Sequence, residues 1–168
     1  MKLRYIFHPA EILTAPFSVA ALLSSFIVSG LAFALFFLQT SLDSGTDHVS
    51  TLLKGILFGT IGISIISIFI WLFAKISGST VSIPAAISAI NCSYGTTLIF
   101  VLVGLVLHFL LRWSTSVSCG ITGVLAALGP MSGVIMIMTK YKKMPAIFIM
   151  TFAGLSVILF WGLLNNLI

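Results

Sequence analysis

Asp43, Asp47 and His48 stand together in one short stretch and are the closest grouping of acid and imidazole in the chain. Carboxylates and imidazole are ligands for a hard cation or for zinc. Here all three sit in a segment that must be polar anyway, because it ends one apolar run and starts the next. They are expected to form a solvated loop, dispensable for folding, with no metal. His108 and Arg112 are four apart, so on a helix they share a face. An ionisable side chain in a membrane span is a candidate proton relay, but no Asp or Glu lies in any apolar run to receive the proton. A neutral, hydrogen-bonded histidine is the expected state. Serines are many, yet none is spaced to pair with a histidine and an acid. There is no G-x-S-x-G, no H-E-x-x-H and no phosphate-binding glycine loop. Cys92 and Cys119 lie in apolar context, without a C-x-x-C or zinc spacing, and are expected to be small buried thiols. The chain is therefore read as a non-enzyme with no cofactor.

The elements that would position any such group are apolar. Hydrophobic residues make up 60% of the 168 and charged residues 7%, with mean hydropathy +1.25. Soluble domains carry about 25% charged residues, so the medium around this chain must be largely lipid. A bilayer core about 30 Å thick requires about 20 apolar residues per helical crossing. Five such stretches are expected to form an all-α polytopic bundle in one transmembrane domain. They cover about 17–39, 52–75, 94–111, 117–138 and 145–164. The first is too long for a signal-peptide core and is expected to be a retained span, with Thr14 as its N-cap and Pro16 near its first turn. Segment 81–91 is interrupted by Pro84, Ser88 and Asn91. It is read as interfacial, re-entrant or an extension of the third span. Pro130 should kink the fourth span, since it lacks a backbone donor.

The net charge of +5 reads as topology, because the basic residues sit at span ends and no basic patch interleaved with aromatics suggests nucleic acid. With five spans, a cytoplasmic N-terminus leaves Lys2, Arg4, Lys75, Lys140, Lys142 and Lys143 inside and only Lys54 and Arg112 outside, following the positive-inside rule.

Glycine gives the clearest pattern. Gly55, Gly59 and Gly62 recur at helical spacing in the second span. Gly120 and Gly123 open a small-residue run in the fourth that continues through Ala126, Ala127, Gly129 and Gly133. Lipid supplies little hydrophobic drive between helices, so small residues that admit close backbone approach mark contacts. The stripes are expected to pack the bundle itself; the alternative is a face for a partner or for a second copy.

The second half, from Val81 to Leu164, resembles the Yip family of small Rab-GTPase-interacting membrane proteins. Ser93-Tyr94-Gly95-Thr96 is similar to the Tyr-Gly pattern that opens that family's third span. Trp113 to Gly129-Pro130 resembles the small-residue span that follows, and a basic hairpin precedes the last span in both. The chain lacks the family's long polar N-terminal region and its acidic Asp-Leu-x-Gly-Pro motif, having only His8-Pro9-Ala10-Glu11, and so is closer to a minimal prokaryotic form. Rab binding is not carried over. The resemblance implies a five-span, non-enzymatic protein of membrane organisation or trafficking, working through the bilayer and membrane-protein partners or a homo-oligomer. It would reside in the cell inner membrane of a prokaryote or in the endoplasmic reticulum or Golgi of a eukaryote. The rival readings are an accessory subunit of a larger membrane complex and a small channel or transporter. The last would need one polar face on several spans, and Ser64, Ser67, Ser116, Thr122 and Ser132 are too sparse to make one.

Overall fold

A computed structural model describes residues 4–44, 47–112 and 116–167; Lys2, Gly45 and Trp113 lie outside them, as do the side chains of Asp43, Ser116 and Trp161. Among the described residues every regular element is helical. A short helix α1 (Arg4–Phe7) and a 3-10 segment (Pro9–Leu13) precede α2 (Val19–Ser44). The second long rod joins α3 (His48–Leu57), a π-helical turn (Phe58–Gly62) and α4 (Ile63–Ile76). A third joins α5 (Ile83–Ser93) and α6 (Gly95–Leu111), a fourth α7 (Ser116–Ala126) and α8 (Leu128–Met138), and α9 (Lys143–Leu167) is the last. Four of these rods are long and apolar enough to cross a membrane by described residues alone, and Lys143–Leu159 of the fifth is a shorter apolar helix. The chain is an all-α membrane bundle.

The start of the first span differs from expectation. Thr14 ends the 3-10 segment, its hydroxyl donating to the Glu11 carbonyl. The long helix begins only after Ser18, whose carbonyl accepts the first N–H groups, from Ala21 and Leu22. Pro9 has already set up one tight helical segment, and Pro16 lies in the link between the two. The preceding residues fold back on the bundle rather than lying along its surface. The 3-10 segment packs on α5 and α8, with Pro9 and Ile12 buried, and an Arg4–Glu11 ion pair of 2.6 Å clasps it.

Segment 81–91 leads into the third rod as an extension of it. Trp71 Nε1 donates to the Val81 carbonyl at 2.8 Å, after which α5 runs into α6 as one 29-residue apolar rod, Ile83–Leu111. Almost every residue from Ala86 to Gly95 is buried, and α5 touches α1, α2, α4, α8 and the 3-10 segment. Its side chains explain this: Ala85, Ala86, Ser88, Ala89, Cys92 and Ser93 make a thin helix on which many neighbours can close.

The fourth span is interrupted near its proline. Pro130 has no N–H for the Ala126 carbonyl and its ring crowds that group, and the helix is interrupted at Ala127 between α7 and α8. The two halves part company: α7 packs on α6, whereas α8 packs on α9. The basic turn closes α8 as a Schellman motif, with Tyr141 N–H to the Met136 carbonyl and Lys140 N–H to that of Ile137. Lys140 and Tyr141 take φ of 53° and 61°, where glycine is usual. Lys142 Nζ donates to the Ser77 carbonyl at 3.2 Å, so the α4–α5 and α8–α9 turns share one side of the bundle.

Candidate functional site

The glycines separate into packed and open positions. At Gly55 an added Cβ would lie 2.5 Å from the Phe33 carbonyl oxygen, and at Gly59 it would collide with that of Ser29 and lie 2.9 Å from the Gly30 Cα. The glycine hydrogens in those directions point at α2 carbonyls, a close C–H···O approach that a side chain there would block. Gly62 does not continue the stripe. A Cβ there would lie 3.0 Å from the Phe58 ring of its own rod. The π turn from Phe58 to Gly62 uses i→i+5 bonding, so the three-residue step from Gly59 no longer returns to the α2 face. The same turn leaves Phe58 in the core, its ring 4.8 Å from Phe33.

The second packed contact joins α6 and α7. A Cβ at Gly123 would sit 2.8 Å from Phe100 Cβ and 3.1 Å from Thr97 Cα, and the Thr97 hydroxyl donates to the Gly123 carbonyl at 2.9 Å. Gly120 faces the Phe36 ring and the Gln39 side-chain oxygen. Gln39 Nε2 donates to the Val101 carbonyl at 2.8 Å, so one fully buried amide ties α2 to α6 while resting on α7.

The family-like residues mark the two helix interruptions. Tyr94 is buried between α5 and α6, with its ring 5.0 Å from Phe33. Gly95 receives the Ile6 side chain of α1, which a Cβ would strike. Gly129 and Gly133 of α8 have nothing within 4 Å. They are four apart, hence on one face, and this face looks out of the bundle.

The polar side chains are largely committed to their own helices. The hydroxyls of Ser64, Ser67, Thr122 and Ser132 donate to carbonyls three or four residues back, as do those of Ser88 and Ser93. Asp47 is the N-cap of α3, accepting from Val49 and Ser50 N–H at 3.2 Å, and His48 Nδ1 lies 2.8 Å from the Ser41 hydroxyl. Asp47 and His48 of the segment expected to be a solvated loop are therefore engaged with the ends of α3 and α2. Arg112 leaves the α6 register at φ 50°, and His108 meets the Phe109 ring edge-on at 5.4 Å. Cys92 is buried, Cys119 half-buried, and both are free. Among the described residues no group of three His, Cys, Asp or Glu could hold a metal ion.

Sequence reasoning missed Gln39 and Asn91. Asn91 is fully buried, and neither amide atom has a hydrogen-bond partner, a costly state for a polar group. Its position in a run of small apolar residues was the only available signal. Comparison with known proteins finds no matching family model, no matching curated protein and no matching solved structure.

Proposed function

We propose that the chain is a non-enzymatic integral membrane protein that acts by docking its α8 face against a transmembrane helix of another membrane protein, in the organisation or trafficking of a membrane as its Yip-like features imply. The open Gly129–Gly133 face carries this reading. The bundle consumes Gly55, Gly59, Gly120 and Gly123 in its own contacts, and leaves this pair facing outward in a medium where small-residue faces are where helices meet. The back-bonded hydroxyls and the acid-free spans support contact rather than conduction. In this reading the N-terminus and the Lys140–Lys143 turn are cytoplasmic and the C-terminus is on the far side. Reporter fusions at Lys142 and Ile168 are expected to report opposite sides; the same side for both would remove the topology.

The docking test is the double variant Gly129→Leu/Gly133→Leu, purified in mild detergent beside the wild type. The expected result is loss of the associated mass or of a reproducible partner, with thermal stability unchanged because the new side chains meet open space. Association equal to wild type would sink the reading. A change in the chain's own oligomer, without loss of any other protein, would identify the partner as a second copy.

A further inference from the structure

A cavity of about 240 Å³ opens on the outer surface between α2, α7 and α9. Its floor is Phe33, Phe36 and Val157, all nearly inaccessible, and its rim is Ile121, Leu125 and Ile158, each 43–54% exposed. A smaller void of about 20 Å³ shares Val124 and Leu125 with it and runs inward to Tyr94. α7 packs on α6 and α8 on α9, and the crevice is the wedge between α7 and α9. Among the described residues α9 packs chiefly on α8 and α4. Gly154 of α9 adds no side chain to close the wedge.

We infer that this crevice holds the acyl chain of a membrane phospholipid. The lining of the larger cavity is entirely apolar, and a bound water needs two to four polar partners. Left unfilled, the walls lose their dispersion contacts on one side. The medium beyond the rim of a membrane bundle is hydrocarbon, which meets both conditions. The helices agree on depth. Phe33 and Phe36 lie in the later half of α2, Ile121 and Leu125 in the earlier half of the α7–α8 rod, and Val157 and Ile158 in the later half of α9. All belong to the half of the bundle opposite the Lys142–Ser77 turns, so the lipid comes from the leaflet on the α2–α3 side. A flat lipid-facing surface exchanges its neighbours freely, whereas a concave one surrounds a chain with three walls and retains it.

The experiment uses the full chain reconstituted in phosphatidylcholine vesicles containing a phosphatidylcholine with a photoreactive acyl chain. After illumination, adducts are mapped to residues. Labelling at Ile121, Leu125 and Ile158 is expected to exceed several-fold that at Leu57 and Val106, which are outward-facing in the same half of the bundle. Val157→Trp, which fills the floor, should abolish the excess while the control positions label as before. Equal labelling of crevice and control positions in the wild type overturns the inference whether or not the variant folds. Rim residues left unlabelled while Leu57 and Val106 are labelled overturn it as well.

Discussion

The second span and α8 carry the same spacing, Gly-x-x-x-Gly, and use it in opposite ways. Gly55 and Gly59 lie against the backbone of α2, so close that no Cβ fits; Gly129 and Gly133 have open space in front of them. In the first case α3, capped by Asp47, packs back along α2, which brings the two helix faces together. In the second, the helix is interrupted at Ala127, just before the pair, and α8 meets the 3-10 segment, α5 and α9 on its other sides. The motif supplies the capacity for close approach, and chain connectivity decides whether the fold uses it.

The difference is broken most severely at Gly59. Gly59→Leu is expected to lose at least about 3 kcal/mol of stability in detergent, the upper part of the overpacking range, since the obstacle is backbone. Melting like the wild type would mean that α2 and the π turn are not in contact at that point. Gly123→Ala should cost about 1–3 kcal/mol, because Phe100 and Thr97 must both shift. Thr97→Val, read on the same melting assay, should cost about 0.6 kcal/mol, the average for hydrogen bonds between membrane helices. Gly133→Leu should leave melting within about 0.5 kcal/mol of wild type, as for surface changes elsewhere. A large loss there would show that the α8 face is already packed and erase the contrast.

Much of this was legible beforehand. Run length and charge give the helical spans, Pro130 gives the kink, and the spacing of Gly55 and Gly59 gives their shared face. Gly62 was misplaced because spacing assumes an uninterrupted α-helix, and the π turn at Phe58–Gly62 changes the count. Thr14 has the residue type of a helix cap, but Pro9 begins a separate 3-10 segment that Thr14 ends. The central position of α5 was hidden for another reason. Pro84, Ser88 and Asn91 lower its apparent apolarity, yet its small side chains are what let five elements close around it. The Gln39 bridge depends on partners 62 residues away, and the crevice on how two kinked halves diverge; neither leaves a local pattern to read.

The claim that the open glycine pair is a docking face is tested most directly by a photoreactive residue at position 132, between Gly129 and Gly133, activated in native membranes. The account predicts a discrete protein adduct that disappears when Gly133→Leu is added, with melting unchanged. Adducts to lipid alone, the same with and without Gly133→Leu, would contradict it.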